Sequence, residues 1–253
     1  MKPHERQRLI DDMIRREGEV SVEMLARSFD VSTETIRRDL AELVDSGRAQ
    51  KVHGGARRPR IMVAEGSFGE RQETQSAAKL RIGRRLSDAI SPGETLFIDT
   101  GSTTLAAAEF LAAIPGLTIV TNSTRFATRL ANSGSDAAIY LLGGRFMGDN
   151  AETVGPQTTG QVTDYQADRA VISVAAVSAE VGGWDADYEE AQVARAMIGN
   201  AHHLIVLADS SKFGRRAAHK VCDTQAIDLL ISDSQHGSAE IAAFEKKGIE
   251  VWH

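Results

Sequence analysis

One cysteine, Cys222, stands in 253 residues. No internal disulfide can form and no cysteine-based zinc site can be assembled. A reducing, intracellular setting and a buried, inert thiol are expected. Long hydrophobic runs are also missing. The longest, such as residues 204–208, fall far short of the ~20 residues a membrane span needs. No apolar segment follows the polar residues 1–8 as a secretory leader requires. A soluble cytoplasmic protein is expected. Positive charge is not in excess either. The 29 Lys and Arg against 35 Asp and Glu leave a net charge of −6, which excludes a uniformly basic nucleic-acid coat protein. No 20–50-residue repeat and no low-complexity tract occurs. His202 and His203 are adjacent and would face opposite sides of a strand. His219 and His236 have no ligand spacing, so no metal and no cofactor is expected.

What is present divides in two. Apolar content of 42% supports a real core. Residues 1–60 balance to a charge of +2 and residues 61–253 to −8. Within residues 46–60, Arg48, Lys51, Arg57, Arg58 and Arg60 meet no acid. A basic end on a small module fits either a polyanion contact or a solvated linker.

The first fifty residues read as helices. Leu9, Ile10, Met13 and Ile14 share a face, and Gly18 ends that helix. Ser21 is placed to cap a second helix over 22–29, with Met24 and Leu25 inward. Ser32 caps a third over 33–45, whose buried stripe is Ile36, Leu40 and Leu43 and whose end is Gly47. The outer face of that helix holds Glu34, Thr35, Arg37, Arg38 and Ala41. Two arginines suit the major groove, and Ser32 and Thr33 can hold a phosphate at the helix end. Residues 48–57 read as a hairpin turning at Gly54-Gly55, with Lys51 and His53 as donors. A helix-turn-helix followed by a hairpin wing is a nucleic-acid reader. A three-helix cap with a solvated charged face is the competing reading.

Residues 58–75 read as a linker with one short helix. Beyond them, apolar runs at 95–99, 117–121, 138–142, 170–174, 204–209, 227–232 and 249–252 alternate with helical stretches at 102–113, 123–133, 189–200 and 238–247. That alternation predicts an α/β domain with a largely parallel sheet. Several strand ends carry glycine and hydroxyls: Asp99-Thr100-Gly101-Ser102-Thr103-Thr104, Thr121-Asn122-Ser123, Gly143-Gly144, and Asp209 to Lys212. Parallel strands bring such ends to one edge, where free N–H groups and a helix dipole favour an anion. The first of these segments is neither a Walker loop nor a dinucleotide fingerprint. Helix capping by Ser102 or Thr103 is the simpler alternative.

Two strings at this separation, Thr35-Ile36-Arg37-Arg38-Asp39-Leu40 and His53-Gly54-Gly55-Ala56, are similar to the N-terminal domain of DeoR-type bacterial transcriptional regulators. The strand-end loops, with Asp209-Ser210-Ser211-Lys212-Phe213-Gly214 and Asp187-Tyr188-Glu189-Glu190, resemble the effector domain of that family. The resemblance implies a winged helix-turn-helix over 1–57, a linker over 58–75, and an α/β effector-binding and oligomerisation domain over 76–253 similar to ribose-5-phosphate isomerase-like folds. It implies a homo-oligomeric repressor of a sugar or polyol operon, released from double-stranded operator DNA by a phosphorylated sugar or polyol. DNA contacts are expected from Ser21, Ser32, Thr33, Thr35, Arg37, Arg38, Lys51, His53 and Gly54. Effector contacts are expected from Asp99 to Thr104, Thr121, Asn122, Gly143, Gly144, Asp187, Glu189 and Lys212. The alternative is an isomerase-like enzyme with an added DNA-binding domain. Isomerases of the related fold carry an acidic loop after the strand matching 170–174. Here that loop reads Val174-Ala175-Ala176-Val177-Ser178, so no catalytic residue is expected.

Overall fold

The computed structural model describes residues 3–45, 48–57, 66–234 and 238–253. Gly47, Arg58, Pro59, Arg60, His236 and the 58–65 part of the expected linker lie outside the described residues. The elements form two units, each with its own core.

The N-terminal unit runs α1 (Pro3–Glu17), β1 (Glu19–Ser21), α2 (Val22–Phe29), α3 (Thr33–Asp45), β2 (Gln50–Val52) and β3 (Gly55–Arg57). Ile10, Ile14, Leu25, Ile36 and Leu43 are fully buried and share one core with Leu40. Ser21 starts α2, its Oγ accepting from the Met24 N–H at 3.1 Å. Asp30 ends that helix in the left-handed region, at φ 51°. The hairpin is wider than the sequence suggests, because β1 joins it in the order β1-β3-β2. Its turn is His53-Gly54, with Gly54 at φ 76°, and not Gly54-Gly55. Gly55 lies in β3 opposite both Ser21 and Val52, and a Cβ there would sit 2.1 Å from the Val20 carbonyl oxygen. The second glycine is a close-approach residue between strands.

Helix α3 is tied to α1 by charge. Arg6 Nε donates to Asp39 Oδ2 at 2.6 Å, and the two side chains are only 7% and 4% exposed. Gln7 adds a bond to Asp39 at 3.2 Å and one to Glu42 at 2.6 Å. The bond to Asp39 holds the Arg6 guanidinium above its ordinary pKa.

The C-terminal unit begins with α4 (Phe68–Glu73), closed by a capping box between Ser67 and Glu70, and α5 (Ser76–Ala89). It continues through β4 (Thr95–Ile98), α6 (Ser102–Leu111), β5 (Thr118–Thr121), α7 (Thr124–Asn132), β6 (Ala138–Leu141), β7 (Arg145–Met147), β8 (Glu152–Val154) and α8 (Pro156–Val162). Then come β9 (Ala167–Ser173), β10 (Ala176–Ser178), β11 (Gly182–Asp185), α9 (Tyr188–Gly199), β12 (Ala201–Leu207), β13 (His219–Cys222), β14 (Leu229–Ile231), α10 (Ala239–Glu245) and β15 (Glu250–Trp252). The seven apolar runs read as strands become the seven strands of one parallel sheet, in the order β15-β14-β12-β9-β4-β5-β6. The chain builds outward from β4 to β6, then returns and builds outward from β9 to β15. The order therefore reverses between β4 and β9, the crevice where open α/β sheets hold ligands. Leu96, Ile98, Ile119, Val171 and Ile205 pack from the sheet against Ile82, Leu86, Leu105, Leu111 and Phe126 of α5, α6 and α7. Each such buried side chain contributes about 1.5–3 kcal/mol.

The hairpin β7–β8, helix α8 and the small antiparallel sheet β10-β11-β13 were not expected from the sequence. Their strands are three or four residues long, too short to show a period. Among the described residues, no helix is long and apolar enough to cross a membrane.

Arg6→Ala is expected to cost about 2–3 kcal/mol by leaving Asp39 buried and unpaired. Urea unfolding of the N-terminal unit measures it.

Candidate functional site

The loop after β4 is built by sterics and hydrogen bonds together. Asp99 to Thr104 are all buried. A Cβ on Gly101 would lie 1.9 Å from Ser173 Oγ at the end of β9, so any larger residue would displace that side chain. Thr104 Oγ1 bonds the carbonyls of Asp99 and Gly101, both at 2.9 Å, and locks the loop from inside. The Thr100 N–H donates to Asp99 Oδ1 at 2.8 Å and to Asn122 Oδ1 at 3.1 Å. Gly101 is the N-cap of α6, and no side chain caps that helix. Capping by Ser102 or Thr103, the simpler alternative, is therefore not what the structure has. The first-turn N–H groups of α6 meet the reversal point of the sheet, an arrangement suited to an anion.

Asn122 joins this loop to the next. It is fully buried, and its Nδ2 donates to Glu152 Oε2 at 3.3 Å and to the Thr153 carbonyl at 3.2 Å. Thr121 Oγ1 accepts from the Ser123 N–H at 3.0 Å, and Ser123 caps α7. Asn150 Nδ2 bonds Glu152 Oε1 and Glu190 Oε1, each at 2.7 Å, and its Oδ1 accepts from Arg71 of α4. The result is a carboxyl group of Asp99, Glu152, Asp185 and Glu190, drawn from the ends of β4 and β11, from β8 and from α9.

Burial is the largest influence on Asp99, Glu152 and Glu190. It raises Asp99 well above the ordinary carboxylate range, with Glu152 and Asp185 adding repulsion. It raises Glu152, against hydrogen bonds from Asn150 and others that pull the other way. Glu190 is pushed up to about 10, first by burial and then by Glu152, Asp185 and Asp99, with Arg71 opposing. At about 10, Glu190 keeps its proton at neutral pH. It therefore donates as well as accepts hydrogen bonds, as a ligand rich in hydroxyls requires.

The expected effector residues separate into groups. Asp99, Thr100, Gly101, Thr104, Thr121 and Asn122 form one network, with Ser102 and Thr103 in the first turn of α6. The backbone of Gly143 is taken by α8, its N–H donating to Gln161 at 3.0 Å and its carbonyl accepting from Thr158 at 2.8 Å. Gly144 packs on the same helix, where a Cβ would lie 2.0 Å from Thr158 Oγ1. Asp187 caps α9 through the N–H groups of Glu189 and Glu190 at 2.7 and 3.2 Å. Glu189 pairs with Arg145, while its neighbour Glu190 reaches the acids. Lys212 ends a single 3-10 turn after β12, half-buried. Arg71, Asn150 and Glu152 were missed by the sequence reading. They lie on α4, just before β8 and on β8, in segments without a legible pattern. Cys222 is buried, and burial pushes its thiol up to about 11. The Val174–Val177 segment is buried and carries no acid.

On the N-terminal unit, Thr33, Arg37 and Arg38 are exposed on α3, and Lys51, His53 and Gly54 on the hairpin. Ser21 is occupied in capping α2. Ser32 and Thr35 share a hydroxyl contact at 2.9 Å, and Ser32 caps α3 through the Thr35 N–H at 3.2 Å. Glu34 lies 3.6 Å from Arg37 and 3.9 Å from Arg38.

Comparisons with known proteins bear on these sites. Residues 6–61 match the DeoR-like helix-turn-helix domain, and residues 74–234 match the DeoR C terminal sensor domain. The chain belongs to the DeoR family. This DeoR-family chain is 33% identical over 234 residues to the glycerol-3-phosphate regulon repressor of Escherichia coli (strain K12), covering 92% of each chain. It is 31% identical over 251 residues to the HTH-type transcriptional repressor GlcR of Bacillus subtilis (strain 168), covering 99% of this chain and 96% of that one. Among solved structures, ribose 5-phosphate isomerase A from Methanocaldococcus jannaschii aligns over 55% of each chain at 15% identity, with a TM-score of 0.42. A probable sor operon regulator from Shigella flexneri aligns over 71% of this chain and 90% of that one at 13% identity, with a TM-score of 0.40.

The raised Glu190 fixes the sign of a pH effect in this DeoR-family chain. Between its ordinary pKa of 4.5 and about 10, the unfolded chain has released a proton that the folded chain keeps. Stability therefore falls as pH rises through that window. Glu190→Gln removes this burden. Its melting temperature is expected to exceed wild type by a few degrees at pH 8, at ~2–4 °C per kcal/mol, and to converge with it near pH 5. Melting curves across pH 5–9 check this.

Proposed function

We propose that this chain is a sequence-specific DNA-binding repressor of a sugar or polyol catabolic operon, released from its operator by a phosphorylated sugar or polyol. The observation that carries the reading is the pairing of two matched domains in one chain. One is a helix-turn-helix whose third helix exposes Arg37 and Arg38. The other is a sensor domain whose uncapped α6 N-terminus meets a buried carboxyl cluster in which Glu190 keeps its proton.

The division of labour follows from the chemistry. Arg37, Arg38 and Thr33 on α3, with Lys51, His53 and Gly54 on the wing, face double-stranded operator DNA. Phosphate contacts dominate affinity and make it steeply salt-dependent. The N-terminus of α6, with Gly101 to Thr103, receives the effector phosphate, supported by Lys212. Asp99, Glu152 and Glu190 read its hydroxyls. Asn150 and Arg71 connect those acids to α4, the first helix after the inter-domain stretch, so a ligand that repositions the acids also bears on α4. Such a ligand releases DNA only if it prefers the DNA-incompetent state. One module of this size reads too short a site alone, which calls for a homo-oligomer on repeated half-sites. The reading places the protein in the cytoplasm and gives it no catalytic residue, no metal and no cofactor. The two curated relatives support it over an isomerase-like enzyme, for one is a regulon repressor and the other a transcriptional repressor.

Arg38→Ala is expected to lose at least tenfold in operator affinity while effector binding stays intact. Glu34→Gln, by releasing both arginines from their internal partner, is expected to tighten binding on operator and random DNA alike. Fluorescence anisotropy over a salt series separates the two. For the sensor, thermal shift of the full chain against phosphorylated sugars and polyols, each beside its unphosphorylated parent, is expected to single out one phosphorylated compound. At about 100-fold over Kd a true ligand adds ~2.7 kcal/mol. Equal shifts with parent and phosphate ester would remove the phosphate from the reading.

A further inference from the structure

Strand β6 closes one edge of the seven-stranded sheet, and among the described residues no strand pairs with its outer side. The Ala138 N–H donates to Leu117 and the Leu142 N–H to Thr121, both toward β5. Peptide groups alternate sides along a strand, so those of Ile139 and Leu141 point away from the sheet. The side chains here are apolar and open. Tyr140 is 47% and Leu141 48% exposed, and Phe146 on the next strand is 58% exposed. Tyr140 meets the half-buried Tyr165 in a tilted ring pair, with centroids 5.5 Å apart. No charged residue occurs from Ala137 to Gly144.

The opposite edge is managed differently. On β15, Trp252 is covered by the Arg85 guanidinium at 5.0 Å and donates to Glu250 at 2.7 Å. Edges that stay in water are blunted by charge in this way. On the β6 edge, α8 takes the backbone of Gly143, and Ile139, Tyr140 and Leu141 carry no charge. An uncharged strand offers no code for a charged foreign segment, and it meets no repulsion from its own copy.

We infer that β6 pairs with β6 of a second copy of this chain, antiparallel about a two-fold axis at Tyr140, to make one continuous sheet across a homodimer. The inference rests on the proposed reading, which calls for paired DNA modules, and names the surface that pairs them. With the axis at Tyr140, Ile139 of each copy exchanges hydrogen bonds with Leu141 of the other, which are the residues whose peptide groups point outward. Tyr140 then faces its own counterpart at a non-hydrogen-bonded position, with Cα atoms about 4.5 Å apart. Such an interface is isologous, and closure is automatic.

The full chain tests this. Tyr140→Cys places two thiols within the ~4.4–6.8 Å Cα range of a disulfide, and the native Cys222 is buried. Mild oxidation is expected to give a covalent dimer on non-reducing gels, and Glu250→Cys on the opposite edge is expected to give none. Leu141→Pro removes an N–H that no strand of its own sheet uses. It is expected to halve the particle mass in sedimentation equilibrium while the melting temperature of the diluted protein holds. Tyr140→Glu, which sets like charges face to face, is expected to do the same. An oligomeric wild type whose mass survives both substitutions, with no disulfide from Tyr140→Cys, overturns the surface and leaves the proposed function standing. A monomeric wild type at micromolar concentration overturns the surface and, with it, the requirement for paired modules.

Discussion

Parallel strands deliver all their carboxyl ends to one rim, and this sheet reverses its order between β4 and β9. Everything in the C-terminal unit that bears on a ligand depends on that reversal. It opens the crevice into which the Asp99–Thr104 segment turns. It also forces β4 and β9 to end side by side, and the missing Cβ of Gly101 leaves room for the Ser173 hydroxyl. With the loop held there, α6 starts without a side-chain cap, and its N–H groups remain for something other than the protein.

The same rim resolves an electrostatic conflict. Residues 61–253 carry a balance of −8, and four acids crowd the crevice, yet the uncapped helix end beside them suits an anion. Were all four ionised, they would repel it. Burial works against this by raising Asp99, Glu152 and Glu190, and Glu190, at about 10, is uncharged at neutral pH. Asn122 and Asn150 are suited to such a place, since an amide can bond a carboxyl group in either protonation state.

Much of this was legible in the sequence because long apolar runs and capped amphipathic helices carry their own period. All seven strands of the large sheet were visible, as were α2, α3, α6, α7, α9 and α10. Ser21 and Ser32 marked helix starts through their own chemistry. The hairpin turn was displaced by one residue because Gly54 and Gly55 look alike in sequence, although one needs a left-handed backbone and the other a close neighbour. The carboxyl cluster was only half visible. Asp99 announced itself at a strand end. Glu152 sits in a three-residue strand where no alternation can establish a face, and Arg71 lies on a six-residue helix inside a stretch read as a linker. Long-range partners of that kind are set by topology, which local pattern does not encode. Asp39 went unremarked for the same reason, as its partner Arg6 is 33 positions away.

That buried pair has a geometric consequence. In Arg37-Arg38-Asp39, two cations and one anion follow one another on a helix that turns about 100° per residue. Two point to water and the third points inward to Arg6. Turning α3 by one residue about its own axis would carry a guanidinium toward another guanidinium and bring the carboxylate out among the exposed arginines. Asp39 therefore works as a key in a slot. It fixes the rotational phase of the helix and so decides in which direction the two arginines aim.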